Sequence, residues 1–246
     1  MNDILKIENL TKTFHTDSFL KKEKVKTTAL DNISFSVKKG ESLGILGPNG
    51  AGKSTLLRII SAILLPTKGH ININEKDLSE NPSLLKSKIG YINSNQNSFF
   101  ARLTGYENLS FFAVLYGVKE KDKKINDLFE TFEIRDKRNS LFNTYSTGMK
   151  KRLSIMRALL HTPDILLFDE ATDSIDPLFF EKIKTITKDL KDKGTTMVWA
   201  THRIEEVEFF CDRVIILDKG KIIYETVSDL SRESLIDKMK NNHIKN

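Results

Sequence analysis

Residues Gly47–Ser54 read G-P-N-G-A-G-K-S, and their reading decides the fold. They match the template G-x-x-x-x-G-K-[ST] in full. Gly47, Gly50 and Gly52 let the backbone turn tightly and aim several N–H groups at one point. Those groups, with the N-terminus of a following helix, cradle phosphate oxygens. Lys53 is placed to reach the terminal phosphates and the Ser54 hydroxyl to ligate Mg²⁺, with Pro48, Asn49, Ala51 and Thr55 completing the phosphate-binding stretch. The flanks agree. Ser42–Leu46 (SLGIL) reads as a short apolar strand, and Lys53–Ile63 (KSTLLRIISAI) carries helical apolar spacing. Strand, loop and helix in this order point to a nucleoside triphosphate site.

A chain of 246 residues can bury a good core as one large domain or two small ones. Its 29% charged and 39% hydrophobic content is that of an ordinary globular protein. No apolar run approaches the roughly 18–20 residues of a membrane span; the longest, such as Ile165–Phe168 and Val214–Leu217, are strand-sized. Met1–Leu10 lacks the basic and apolar regions of a signal peptide. A single cysteine, Cys211, excludes an internal disulfide framework and points to a reducing cytoplasm. The net charge of +6 is modest. Lys21–Lys26 (KKEKVK) and Lys119–Lys124 (KEKDKK) also contain acids, so they read as solvated loops rather than contacts for anionic lipid or nucleic acid.

Outward from the phosphate loop, Ile4–Leu10 reads as an edge strand and the lysine-rich Thr11–Thr28 as a loop. Ile33–Val37 alternates as a strand before the Lys39-Gly40 turn. After Pro66–Gly69, His70–Asn74 is strand-like, and Asn93–Phe100 is a polar connector. From Tyr106 to about Leu160 the pattern is helical, with a long helix over Lys150–Leu160 just after Tyr145–Met149. Leu109, Phe112, Ala113 and Tyr116 share one apolar face, and Ile125, Leu128, Phe129 and Phe132 another. Past Pro163 strands and helices alternate again. Asp176-Pro177 is a helix start with Asp as N-cap and Pro at the first helical position. Thr196–Ala200, Val214–Leu217 and Lys221–Tyr224 read as strands, the last two joined by the hairpin Asp218-Lys219-Gly220. The layout is an α/β core interrupted by a helical insertion.

Ile165–Glu170 (ILLFDE) is a buried strand ending in two carboxylates. Asp169 is suited to hold Mg²⁺ through water. Glu170, one residue nearer the γ-phosphate, is suited to orient and deprotonate the attacking water. His202 directly follows a strand, on the side where phosphates gather.

The phosphate loop, Y-S-T-G-M (145–149), I-L-L-F-D-E (165–170), A-T-D-S-I-D (171–176) and W-A-T-H (199–202), in this order, resemble the ATP-binding subunit of an ABC transporter, from Ile4 to about Val227. The resemblance implies an α/β fold: a P-loop NTPase core with an antiparallel β subdomain and an inserted α-helical subdomain at about 95–160. Residues 1–230 would form the ATPase domain, and 231–246 a short C-terminal helix and polar tail. The family signature is usually L-S-G-G-Q; here Ser146 and Gly148 keep the serine and second glycine, while Thr147 and Met149 depart from it. By the same resemblance Ser146 and Gly148 contact ATP bound by the other subunit of a head-to-tail dimer, and Asp176 lies at the dimer seam. His202 contacts the γ-phosphate, and Phe14 stacks on adenine. The family places a metal-sensing glutamine soon after I-G-Y. Strict counting puts Ser94 in that slot and Gln96 two residues later, so Gln96 is the candidate metal-site group unless the contact is altered. R-L-T-G-Y-E-N-L resembles the exporter branch, where Phe99, Phe100, Arg102 and Leu103 would receive a membrane subunit, or the phenylalanines would simply anchor the insertion.

The expected activity is therefore ATP hydrolysis, with ATP and Mg²⁺ as cofactors, powering transport, of the export type by resemblance alone. The expected partners are a second ATPase subunit, identical or paired, and an integral membrane permease. No nucleic acid is expected, and the location is the inner face of the cell membrane. The alternative is a soluble ABC-type ATPase acting on ribosomes or nucleic acid. Tandem domains and a long coiled-coil insertion, which such proteins carry, are absent from this sequence.

Overall fold

The computed structural model describes residues 2–17, 24–80, 82, 86–93, 98–173, 175–227 and 230–243. In chain order the strands are β1 (Asp3–Asp17), β2 (Lys24–Lys38), β3 (Ser42–Leu46), β4 (Lys68–Ile73), β5 (Lys76–Asp77), β6 (Ile89–Asn93), β7 (Ile165–Asp169), β8 (Thr196–Thr201), β9 (Arg213–Asp218) and β10 (Lys221–Thr226). The described α-helices are α1 (Lys53–Ile60), α2 (Gly105–Leu115), α3 (Lys121–Thr131), α4 (Thr147–Leu159), α5 (Pro177–Asp192), α6 (Ile204–Phe210) and α7 (Arg232–His243). One sheet has the order β10-β9-β3-β8-β7-β6, parallel except for the β9–β10 hairpin. The other is antiparallel, β2-β1-β4-β5.

Every residue of β3, β7 and β8 is buried, as expected of parallel strands covered on both faces. Alternation divides their side chains between two cores. Leu43, Ile45, Ile165, Leu167, Val198 and Ala200 point to one side, where Leu56, Leu57 and Ile60 of α1 meet Leu5, Ile7, Leu30 and Ile33 of the antiparallel sheet. Leu166, Phe168, Met197 and Trp199 point to the other, against Leu153 and Met156 of α4, Phe179 and Ile183 of α5, and Leu109, Phe129 and Phe132 of the insertion. Each such aliphatic or aromatic side chain contributes about 1.5–3 kcal/mol by leaving water. Trp199 is stacked between Phe168 and Phe210, at 3.7 and 4.2 Å between ring centroids.

The insertion starts where Thr104 caps α2. Its hydroxyl accepts from the Glu107 amide, and the Glu107 carboxylate accepts from the Thr104 amide. Leu109, Ala113, Ile125, Leu128, Phe129 and Phe132 of the two anticipated faces are buried, while Tyr116 is 37% exposed. Phe99 is also buried, against Phe112 and Phe142, and Phe100 is 47% exposed. Phe99 thus anchors the insertion.

Three sequence expectations are corrected. Ile4–Leu10 is not an edge strand, because β1 lies between β2 and β4. The described parts of Thr11–Thr28 are strand rather than loop: β1 continues to Asp17 and pairs with β2 from Thr13↔Thr28 to Asp17↔Lys24. The polar residues that read as loop include three β-branched threonines in T-K-T-F-H-T, which suit a ribbon standing away from the core. Third, the helix expected from Lys150 begins at Thr147, because Ser146 caps it: the Ser146 hydroxyl accepts from the Met149 amide.

Candidate functional site

Parallel pairing brings the carboxyl ends of β3, β7 and β8 to one edge of the sheet, with Leu46 opposite Thr201 and Asp169 opposite Ala200. The residues that follow are Gly47, Glu170 and His202. Ligands of open α/β sheets bind at this edge. The Gly47 amide donates to the Thr201 carbonyl at 3.2 Å, and the Glu170 amide to the Ala200 carbonyl at 3.0 Å. Glycine is required at two loop positions by close approach. A Cβ on Gly47 would lie 2.2 Å from the Leu217 carbonyl oxygen. One on Gly52, where φ is +108°, would lie 2.5 Å from that of Ala29. Gly52 leads into α1, whose first amides open toward the loop.

Asn49, Gly50, Gly52, Lys53, Ser54 and Thr55 line a cleft of about 320 Å³ with Ala29 and Glu170. The Lys53 side chain is 4% exposed, and its Nζ donates to the Gly47 and Pro48 carbonyls at 2.8 and 3.0 Å. It also lies 3.7 Å from Glu170 Oε1. Burial lowers the Lys53 pKa, and the nearby Glu170 and Asp169 carboxylates oppose that shift. The His202 ring Nδ1 is 3.4 Å from the same Glu170 oxygen. Glu170 itself has φ +50°, an uncommon conformation for a residue with a side chain.

Ser54 Oγ donates to Asp169 Oδ1 at 2.7 Å. A hydroxyl next to a buried carboxylate is the hard-oxygen donor set that suits Mg²⁺. Glu170, Asp173 and His202 also bring ligand-type atoms within 4.8 Å of one another. The Lys53 ammonium beside Glu170 opposes a cation there, so the Ser54–Asp169 pair is the better fit.

Phe14 is 39% exposed on β1 and pairs with Thr27, two residues from the cleft-lining Ala29. Pro48 and Ala51 lie in the loop, with the Ala51 amide donating to the Pro48 carbonyl at 3.2 Å. Ser146 and Gly148 lie at the N-terminus of α4 and are not among the residues lining the cleft. Asp176 caps α5, accepting from the Phe179 amide at 2.8 Å, and lies 3.7 Å from Arg152 of α4. Ser94 and Gln96 fall outside the described residues.

Sequence reading missed Tyr91. Its O–H donates to Asp169 Oδ2 at 2.7 Å. A polar-tipped aromatic on a strand beside the carboxylate strand was the available signal, but only the β6–β7 register makes the contact visible.

The family model described as ABC transporter matches residues 30–173. The chain is 37% identical over 227 residues to the ABC transporter ATP-binding protein NatA of Bacillus subtilis (strain 168), covering 92% of each chain. It is 38% identical over 206 residues to the linearmycin resistance ATP-binding protein LnrL of the same organism, covering 83% of this chain and 66% of that one. Among solved structures, the dimeric post-hydrolysis state of the ATP-binding cassette MJ0796 bound to ADP and Pi superposes with a TM-score of 0.81. It is 29% identical and covers 92% of this chain and 99% of its own. The chain belongs to the ABC transporter family, as an ATP-binding subunit with ATPase activity.

Proposed function

We propose that two ATPase subunits of this kind sandwich ATP and Mg²⁺, and that their closure drives an integral membrane permease that exports its cargo. The observation that carries the reading is a division of labour. One sheet edge gathers Lys53, the Ser54–Asp169 pair and the Glu170–His202 pair around a single cleft. Ser146 and Gly148 open a different helix, away from that cleft's lining. A head-to-tail second subunit gives the second helix a phosphate to meet. The solved cassette named above is dimeric and holds ADP and Pi, which supports the same assembly here.

In this reading the backbone of 47–54 and the start of α1 hold the phosphate tail, and Lys53 turns its ammonium from two carbonyls to the phosphates. Phe14 stacks on the base. Ser54 and Asp169 hold Mg²⁺, which when bound neutralises developing charge on the phosphates. Glu170 accepts the proton of the attacking water, with His202 fixing the carboxylate and the γ-phosphate. Asp176 sits at the dimer seam. Gln96 is retained as a metal-sensing residue by resemblance only. Residues 95–160 act as the inserted helical subdomain of a 1–230 ATPase domain.

Among the described residues no helix is long and apolar enough to cross a membrane. The permease is taken to be a separate chain by the family resemblance. Export is supported by relatives named for linearmycin resistance and, at 31% identity, for bacitracin transport in Enterococcus faecalis. Location on the inner membrane face follows from the permease. Affinity capture of the tagged chain from native cells in mild detergent tests the reading. A stoichiometric multi-span membrane protein supports it. Ribosomal proteins or nucleic acid alone, in a preparation that still hydrolyses ATP, would return the soluble alternative.

A further inference from the structure

We propose that Tyr91 is a positioning residue for the metal site, holding the Asp169 carboxylate so that Asp169 and Ser54 together receive the divalent cation. The inference rests on the assignment of Ser54 and Asp169 to the metal. Asp169 is 6% exposed, and its two oxygens take one hydroxyl each: Ser54 Oγ on Oδ1 and Tyr91 O–H on Oδ2, both at 2.7 Å. With both oxygens engaged, neither rotation of the carboxylate nor a change of its hydrogen-bond plane is free.

The backbone puts Tyr91 there. β6 and β7 run parallel with Tyr91 opposite Leu167 and Asn93 opposite Asp169. Alternate residues of a strand share a face, so Tyr91, Leu167 and Asp169 are turned the same way. A second support comes from α1. Arg58 follows Ser54 by one helical turn and interacts with the Tyr91 side chain. The phenol therefore ties α1, β6 and β7 together at the one carboxylate. With metal bound, Ser54 and Asp169 would hold it, and the Tyr91 hydroxyl would keep the Asp169 carboxylate oriented through its bond to Oδ2.

Loss of a partner in the outer shell of a metal site typically costs about 10–100-fold in metal affinity. The test uses Mn²⁺ as a paramagnetic probe, titrated by electron paramagnetic resonance against the full chain with a non-hydrolysable ATP analogue. Tyr91→Phe, which removes only the hydroxyl, is expected to weaken Mn²⁺ binding about tenfold. Analogue affinity measured in EDTA should be unchanged, and the ATPase rate should recover as Mg²⁺ is raised. Unchanged Mn²⁺ affinity in Tyr91→Phe, or a rate defect that excess Mg²⁺ does not correct, overturns the proposal. Asp169→Asn separates the two levels of the argument. If it weakens Mn²⁺ and Tyr91→Phe does not, the metal assignment stands and the role of Tyr91 falls. If neither weakens Mn²⁺, the metal assignment itself is wrong. Should Tyr91→Phe fail to fold, Arg58→Ala, at an exposed position, reads the same tie from its other end and is expected to weaken Mn²⁺ by a smaller factor; no change there also overturns the proposal.

Discussion

The loop before α1 and the turn before α4 both end in a helix N-terminus, and both carry glycine at the approach. Their surroundings differ. At the first, a Cβ on Gly47 or Gly52 would strike a backbone carbonyl of the same chain, at 2.2 and 2.5 Å. At the second, a Cβ on Gly148 would meet nothing nearer than the Ser146 hydroxyl at 4.0 Å. Gly47 and Gly52 are thus demanded by this chain's own packing. The fold makes no such demand at Gly148, and the open space there fits the proposed approach of a nucleotide held by a second subunit. In that reading one region is a finished binding cleft, and the other is half of one.

Alanine at each glycine breaks or sharpens that contrast most directly. Gly52→Ala combines a left-handed backbone with a clash against Ala29, and should destabilise the chain by roughly 2–6 kcal/mol. Nucleotide binding should be lost with it. Gly148→Ala should leave the melting temperature unchanged or slightly higher, since alanine suits a helix better. ATP binding by the isolated subunit should persist while hydrolysis collapses. Equal loss of stability in both variants, read by thermal melting, would erase the distinction.

Within the finished cleft the chemistry can be separated from binding. Glu170→Gln keeps the shape and removes the base, so turnover should fall about 10²–10⁴-fold with ATP affinity retained and ATP-bound dimers accumulating. Normal turnover would remove Glu170 from the base role. Lys53→Ala should act earlier. A charged hydrogen bond worth about 1.5–3 kcal/mol corresponds to roughly 10–100-fold in nucleotide affinity, measured by calorimetry. An unchanged affinity would contradict the phosphate-loop assignment.

The same contrast explains what could be read in advance. The phosphate loop is legible because its requirements are local: the glycines, lysine and serine lie within eight consecutive residues, between a fully buried strand and a helix. The start of α5 is legible for the same reason, Asp176 and Pro177 being adjacent cap residues. Long-range requirements are not. β1 and β2 extend into a ribbon whose lysines and threonines resemble a loop until Thr13 is seen opposite Thr28. Tyr91 looks like one aromatic among many until strand register sets it against Asp169, far away in sequence. The cap of α4 by Ser146 is a local signal too, a serine that accepts from the amide three residues on, within a stretch that also carries the phosphate-contact motif.

Asp176 is proposed to lie at the seam between the two regions, and its test is smaller. Asp176→Ala removes the cap of α5 and the neighbour of Arg152, costing about 1 kcal/mol. For a chain of this size that is roughly 2–4 °C in melting temperature. A seam role adds a loss of dimer-dependent hydrolysis beyond what the stability change explains; without that extra loss, Asp176 is a cap and no more.

The smallest effect lies just past the end of α4, where the signature helix meets the core sheet. His161 Nε2 is 3.1 Å from the Ile89 carbonyl oxygen of β6. That contact makes Nε2 the protonated nitrogen of the neutral ring. Nδ1 is buried without a hydrogen-bond partner. Protonation would add an N–H at Nδ1 with nothing to accept it. Burial accordingly holds the His161 pKa below its ordinary 6.5, the Ile89 carbonyl resists that shift, and the Lys124 charge adds to it. The unfolded chain takes up this proton first. Stability is therefore full above pH 6.5 and is lost as pH falls from there through the folded-state pKa. His161→Gln can keep a donor to the Ile89 carbonyl but cannot titrate. Urea melts between pH 7.5 and 5 should show the wild-type chain losing stability faster than this variant. Parallel slopes would mean that the junction between the signature helix and the sheet does not sense protons through His161.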